Sequence, residues 1–361
     1  MQRRTMKGLI LSGGLGSRLR PLTATGAKQL VPIANKPVLF YAIEQLAGAG
    51  ITDLGIVIGD TGAQVRNAVG DGSHFGAKVT YIPQDAPLGL AHAVLVARDW
   101  LADSPFCMFL GDNFLRRGIT RHVRAFTDCH DSAQILLRPV PNPSSYGVAL
   151  LDDEGCIQQI EEKPREPLSN LAVVGVYFFG PDIHEVVASL KPSARGGVEI
   201  TDAIQGLVDA GHSVRAEVID DDWIDTGKKD DMLEANRLVL LDIQRRIDGN
   251  VDSGSEVLGE VIIEKGAELI RSSVRGPAVI GANARLIDAY VGPFSAIGEE
   301  CHLERCEIEH SIVMTGTKIC DVGRRIVDSL IGKQVVIERS QHKPRALRLM
   351  LGDHSQVGFE S

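Results

Sequence analysis

Glycine and arginine crowd together near the start of the chain, in Ile10-Leu11-Ser12-Gly13-Gly14-Leu15-Gly16-Ser17-Arg18-Leu19-Arg20-Pro21. Glycine has no Cβ, so its backbone can come close to an anionic ligand. Successive backbone N–H groups can then form an anion-binding nest. Arg18 and Arg20 add charge in a form suited to bidentate phosphate contacts. The loop is not a Walker A motif, which ends in Gly-Lys-Ser/Thr. It is a poor dinucleotide fingerprint as well, because Leu19 stands where a third glycine belongs. Taken alone, a glycine-rich turn after a strand also serves as a plain connector. Two aspartates are the next candidates. Asp112, in Phe109-Leu110-Gly111-Asp112-Asn113, closes a strand-like run, at the strand end where α/β proteins bind ligands. Asp225 sits in Trp223-Ile224-Asp225-Thr226-Gly227. A turn aspartate and a helix cap are the plainer readings of the two. Trp223 reads as packing beside Asp225.

The elements around these residues follow two patterns. Up to about residue 230, apolar runs at Lys7 to Leu11, Leu54 to Ile58, Lys78 to Ile82 and Phe106 to Leu110 read as buried strands. Helical patterns lie between them, at Pro37 to Ala49 and at Leu90 to Leu101. In the first of these Pro37 suits the opening turn, Phe40, Ile43 and Leu46 share a face, and Gly50 is the stop. Such alternation predicts an α/β fold, Rossmann-like and doubly wound, with a mostly parallel sheet covered on both faces. Asp231 to Ile247 reads as one helix. After residue 250, Val261, Ala267, Val279, Val291, Ile297 and Leu303 are separated by multiples of six, and Gly281, Gly292 and Gly298 follow small apolar positions. That period predicts a left-handed hexapeptide β-helix; an irregular β-rich tail is the alternative. The expected organisation is a catalytic domain over 1–230, a connecting helix over 231–250 and a β-helix domain with a tail over 251–361. The segment Lys343 to Ser361 reads as a docking helix.

The formal net charge of −9 argues against a nucleic-acid polymer as partner, although a few placed cations can still hold a nucleotide. No run of about 18 apolar residues is present, which excludes a spanning helix from the expectation. The start, Met1-Gln2-Arg3-Arg4-Thr5-Met6, lacks the apolar stretch of a secretory signal. Cys107, Cys129, Cys156, Cys301, Cys306 and Cys320 are scattered without a Cys-x-x-Cys pair and read as reduced thiols, with a cytoplasmic location expected. Cys301 and Cys306 form the one close pair, a weak zinc signal.

Past Arg18, Lys28-Gln29-Leu30-Val31-Pro32 completes a composite motif: Gly-Gly-x-Gly-Ser-Arg-Leu-x-Pro-Leu-Thr followed by Lys-Gln-Leu-Val-Pro. It resembles the sugar nucleotidylyltransferase family, and within it the glucose-1-phosphate thymidylyltransferases, over about residues 6 to 240. The β-helix looks like the long form of that family. The resemblance implies transfer of a nucleotidyl group from dTTP to glucose 1-phosphate by in-line displacement, giving dTDP-glucose and pyrophosphate, with Mg²⁺ required. It implies that Arg18 and Lys28 are catalytic cations on the triphosphate; a solvated surface lysine is the alternative for Lys28. It implies that Asp112 and Asp225 hold the metal. Leu11, Gly13, Gly14, Gly16, Ser17 and Gln29 fall on the nucleotide side. Tyr81 to Ala93 resembles the base-recognition loop, where Gln84 offers an amide edge to a pyrimidine and Gly89 allows close approach. Leu88 departs from the aspartate common in the short form. His92, at a helix start, reads as structural before chemical. On the sugar side the resemblance places Tyr146, Gly147, Glu162, Lys163, Val173, Tyr177 and Glu199. A core role for Tyr177 and a helix-terminal role for Glu199 remain open.

Three rivals keep the same residues. One is a related enzyme using UTP or another nucleotide. Another is a bifunctional enzyme whose β-helix transfers an acyl group through His302 or His310. The last is a non-catalytic subunit, which the presence of Arg18, Lys28, Asp112 and Asp225 opposes. Flat repetitive β-helix faces predict a homo-oligomer.

Overall fold

The computed structural model describes residues 5–14, 16–129 and 131–339. The chain forms two compact units: Met1–Leu15 with Leu39–Asp225, and Gly16–Val38 with Thr226–Ser361.

The first unit is built on a nine-stranded sheet. Its first part is parallel: Lys7–Ser12 lies between Asp53–Ile58 and Phe106–Leu110, and Asp53–Ile58 pairs with Lys78–Pro83. These are the apolar runs expected from the sequence, and Leu9, Leu54, Ile56, Phe106 and Phe109 are fully buried. Burial of each such side chain is worth about 1.5–3 kcal/mol. Beyond Phe106–Leu110 the sheet turns mixed. Leu171–Phe179 runs antiparallel to it and to Ala133–Pro139 and Gly147–Leu151. Ile157–Glu162 closes that edge against Gly147–Leu151. Ala133–Pro139 also pairs in parallel with Val214–Val218. A short antiparallel pair, Asn113–Leu115 with Trp223–Asp225, stands apart from this sheet.

Two helices differ from their expected spans. The segment expected at Leu90 to Leu101 is two helices, Leu90–Val96 and Arg98–Leu101, separated at Ala97. The helix expected from Pro37 runs Val38–Gly48. Pro37 instead ends a two-strand hairpin, Pro32–Ile33 with Lys36–Pro37, since a residue without an N–H fits an edge strand.

In the second unit the connecting helix is shorter than the expected 231–250. It spans Lys229–Leu241, and Arg246–Ile247 already pairs with Val261–Ile263. The rest of the described chain winds as the expected left-handed β-helix, with three parallel sheets of six, six and five strands. Strands meet their successors about one coil on, as in Val261–Ile263 with Ala278–Ile280 and then Ser295–Ile297. The residues of the six-residue period are all inside: Val261, Ala267, Val291, Ile297 and Leu303 are fully buried, and Val279 nearly so. Gly298 shows why small residues recur, since a Cβ there would lie 2.7 Å from the Thr315 backbone nitrogen of the next coil. The docking helix expected at Lys343 to Ser361 lies outside the described residues.

Candidate active site

In the first unit the candidates gather at the carboxyl ends of the parallel strands. Leu11 is the penultimate residue of Lys7–Ser12, and its carbonyl accepts the Gly111 N–H at 2.9 Å, which brings the end of that strand beside Gly111 and its neighbour Asp112. The next strand end enters through Gln84, whose backbone N–H donates to the Ile58 carbonyl at 2.9 Å. A Cβ on Gly13 would lie 3.3 Å from Gln84 Oε1, so the glycine lets the two segments touch. Gln84 Nε2 sits 2.9 Å from His92 Nδ1 and 3.4 Å from the Gly89 carbonyl. Gly89 has φ of 107°, and a Cβ there would meet the Val198 carbonyl at 2.3 Å, which only glycine avoids. Val198 returns the contact: its N–H donates to the Leu88 carbonyl and its own carbonyl accepts from Ala91. The loop from Gln84 to His92 is thereby strapped to the residue before Glu199.

Glu199 is the N-cap of the helix Ile200–Asp209, but its carboxylate turns away from the helix. Oε1 accepts the Ser193 hydroxyl at 3.1 Å and lies 3.7 Å from Arg195 Nε. Facing it is Glu162, whose carboxyl is raised above the ordinary range by burial, lowered by Lys163 and raised again by Glu199. Lys163 Nζ stands 3.4 Å from Glu162 Oε1. Lys163 adopts a left-handed φ of 47°, and its N–H donates to the Tyr146 carbonyl at 2.9 Å. Gly147 opens the space between them: a Cβ there would lie 2.7 Å from Thr201 Cγ2, 3.2 Å from Glu162 Oε2 and 3.3 Å from Val173 Cγ2. Tyr146, Gly147, Glu162, Lys163, Val173 and Glu199 are thus neighbours, brought together by three strands and a helix cap.

Asp112 and Asp225 meet through the short strand pair, where Asp225 is the register partner of Asn113. Asn113 is buried and clamps both sides. Its Nδ2 donates to Asp112 Oδ1 at 3.0 Å, and its Oδ1 accepts the Trp223 indole N–H at 2.6 Å. Gly175 makes room for it, since a Cβ there would fall 2.3 Å from Asn113 Oδ1. Trp223 also packs on the Tyr146 ring, with centroids 5.2 Å apart. Tyr177 is a buried core residue stacked with Phe179. Burial first, and then the carboxylates of Glu162, Asp112 and Asp225, push its phenol up. Three acidic candidates from separate elements therefore act on one buried phenol.

The second unit holds Gly16, Ser17, Arg18, Lys28 and Gln29. Gly16 is left-handed at φ 62°, and a Cβ there would lie 2.8 Å from Lys28 Cβ. Thr23 closes the turn by donating to the Gly16 carbonyl at 2.6 Å. Arg18 is exposed on the single turn Ser17–Leu19, anchored by buried Leu19. Lys28 and Gln29 are buried, which removes the reading of Lys28 as a solvated surface lysine. The Arg18 guanidinium lies against Gly227, where a Cβ would come within 2.5 Å of Nη2. Asp231 is close enough that Arg18 lowers its carboxyl, against a larger rise from burial. Gly227, Asn113 and His92 were not assigned site roles from the sequence. Gly227 and Asn113 stand inside the two aspartate motifs, and His92 at the start of a helix, but none of these positions states its contact partner.

The remaining candidates carry less. Cys301 keeps its proton, since its thiol donates to the Met314 carbonyl, and burial raises both it and Cys306, the latter to about 12. Neither suits thiolate ligation of zinc. Among the described residues a mixed cluster does exist at His302, Glu304 and Cys320, with ligand atoms within 4.8 Å. Arg305 is paired to Glu304, and Lys318 also acts on Cys320, so two cations oppose a metal there. His302 and His310 are each bound to a carboxylate, Glu304 and Asp328.

The chain matches the nucleotidyl transferase family over residues 7–241. It belongs to that family. It is 53% identical over 356 residues to a glucose-1-phosphate thymidylyltransferase of Streptomyces griseus, covering 99% of this chain and 100% of that protein. It is 45% identical to a low-salt glycan biosynthesis nucleotidyltransferase of Haloferax volcanii, covering 98% of this chain and 99% of the relative. A Bacillus anthracis structure described as a glucose-1-phosphate thymidylyltransferase, in complex with a sucrose, is similar at 35% identity and a TM-score of 0.63. It covers 67% of this chain and 98% of its own. Both full-length likenesses run through the β-helix as well as the sheet. Among the described residues no helix is long and apolar enough to cross a membrane.

Proposed function

We propose that this nucleotidyl transferase makes dTDP-glucose and pyrophosphate from dTTP and glucose 1-phosphate. The observation that carries the reading is the end-to-end likeness to the Streptomyces griseus enzyme. A phosphate oxygen of glucose 1-phosphate attacks the α-phosphorus. The bond from that phosphorus to the oxygen bridging to the β-phosphate breaks, and pyrophosphate leaves with the electron pair. No covalent enzyme intermediate is needed, so catalysis is positioning and charge stabilisation.

Arg18 and Lys28 take the triphosphate and the charge that grows on the leaving group, with Leu11, Gly13, Gly14, Gly16, Ser17 and Gln29 shaping the nest. Gln84 and Gly89 take the base. Glu162 accepts sugar hydroxyls and Lys163 takes the sugar phosphate, with Tyr146, Gly147, Val173, Tyr177 and Glu199 lining the pocket. Asp112 and Asp225 fit a magnesium ion, because both are hard oxygen donors and Asn113 holds Asp112 in place. Bound there, the ion would neutralise charge on the phosphate oxygens. We assign catalysis to 1–230 and the connection to the helix Lys229–Leu241, with self-association through the β-helix, whose first strand is Arg246–Ile247, and a cytoplasmic location.

Pyrophosphate release, measured across four nucleotides and several sugar phosphates, tests the activity. Turnover with UTP comparable to that with dTTP would overturn the thymidylyl assignment. Light scattering on the full chain tests self-association, which a monomer mass would refute.

A further inference from the structure

The contact between Gln84 and His92 carries information about which bases the site takes. A glutamine amide presents two faces, one that donates and one that accepts, and a free side chain can offer either. Here the choice is constrained. One corner of the amide faces the Gly89 carbonyl at 3.4 Å, and a carbonyl only accepts. An amide oxygen at that corner would set two lone-pair-bearing atoms against each other, so the nitrogen belongs there. The same nitrogen lies 2.9 Å from His92 Nδ1. With its protons turned to Gly89 and His92, Nε2 donates to both. His92 Nδ1 is then the acceptor of this pair, which places the ring proton on Nε2. The amide has no donor left over. Only Oε1, turned toward Gly13, is available to a ligand.

We infer that His92 is a positioning residue that locks Gln84 as an acceptor, so that the base subsite selects a pyrimidine carrying an imide N–H and rejects an aminopyrimidine. Thymine and uracil present N3–H to such an acceptor. Cytosine presents a bare N3, which would face Oε1 lone pair to lone pair. The inference rests on the reading that Gln84 faces the base. It also accounts for a histidine at this place in the helix Leu90–Val96, where an apolar residue would satisfy the packing of neighbouring Ala91 and Ala93 but leave the amide free to turn over.

The experiment compares kcat/KM for dTTP and dCTP in the full-length enzyme and three variants. His92→Phe removes the acceptor, and the dTTP:dCTP ratio should fall by roughly 10-fold or more, the scale of one unmade hydrogen bond. The KM for glucose 1-phosphate should stay unchanged. His92→Asn puts an amide oxygen near the place of Nδ1, and should hold the ratio within about 3-fold of the parent. Gln84→Leu should lose the discrimination altogether. Loss in Gln84→Leu with the parent ratio kept in His92→Phe would overturn the role of His92 while sparing the reading of Gln84. The parent ratio in both would overturn that reading itself. Equal loss in the Phe and Asn variants would reduce His92 to packing and overturn the inference. A readout without substitution is the ¹⁵N spectrum of histidine-labelled enzyme. His92 should appear as the Nε2–H tautomer, and the Nδ1–H tautomer would overturn the proposal even if the Phe variant failed to fold.

Discussion

Replacing Asn236 by leucine should destabilise the second unit by about 2–4 kcal/mol, through the loss of two hydrogen bonds at a fully buried position. Asn236 Oδ1 accepts the Ala34 N–H at 2.8 Å, and Nδ2 donates to the Phe294 carbonyl at 2.9 Å. Ala34 and Asn35 form the two-residue turn of the hairpin after Lys28, and both have positive φ, 45° and 63°. Such turns favour Asn-Gly, and an alanine held there costs about 1–2 kcal/mol. The turn therefore depends on outside support, which Asn236 supplies together with the bond from Asn35 Nδ2 to the Ile297 carbonyl at 2.7 Å. Leucine shares the branching of asparagine and is larger, so it leaves no cavity, but it strips the half-buried Ala34 N–H and Phe294 carbonyl of their partner, each loss costing about 1–2 kcal/mol. The assay is urea unfolding followed by far-UV circular dichroism, since Trp100 and Trp223 both lie in the first unit and report on it. Amide exchange at residues 33–36 in the full chain gives the local readout. Unfolding free energy within about 0.5 kcal/mol of the parent, the ordinary range for a surface change, with unchanged protection at Ala34, would refute the reasoning. A matched fall in kcat is expected, because the same segment carries Lys28.

Three further outcomes follow from the site. Asp112→Asn should cost roughly 100-fold or more in turnover with an unchanged circular dichroism spectrum, and activity persisting without divalent cation would contradict the metal assignment. Gly227→Ala should leave stability nearly unchanged, because the three atoms nearest the added Cβ all belong to the end of the long Arg18 side chain, but should cut kcat/KM for dTTP by about 10-fold by displacing that guanidinium. Wild-type kinetics would show that Arg18 does not act from this position. Glu162→Gln tests the raised carboxyl. Because burial lifts its folded-state pKa above the ordinary 4.5, its contribution to stability is present below that value and is lost as pH rises through the lifted one. The glutamine variant should therefore be more stable than the parent at neutral pH and equal to it near pH 4. Urea midpoints across that window decide the matter, and a variant less stable at neutral pH would reverse the assignment.

Much of this protein was legible in one dimension. The strand Phe106–Leu110 and the buried six-residue series from Val261 to Leu303 announce themselves because local periodicity states which side chains must leave water. The glycines of the phosphate loop are legible for a similar reason, since a backbone that approaches an anion has to do without a Cβ. What was missed involves partners far apart in the chain. Asn113 reads as one more polar residue until Trp223 and Gly175 arrive from distant strands to fix its amide. The break at Ala97 and the placement of Pro37 in a hairpin also went against continuous apolar patterns that read as single helices.

The sequence by itself determined the two patterns of folding, the family, and the residue types that can grip phosphate, metal and sugar. Those follow from backbone freedom, charge and periodicity, which neighbouring residues settle among themselves. The tertiary structure alone decided how those residues are held. It buried Lys28, set Glu162 against Glu199, and aimed the Gln84 amide by way of His92. Orientation and burial depend on which surfaces meet, and no stretch of sequence carries that information about its own neighbours.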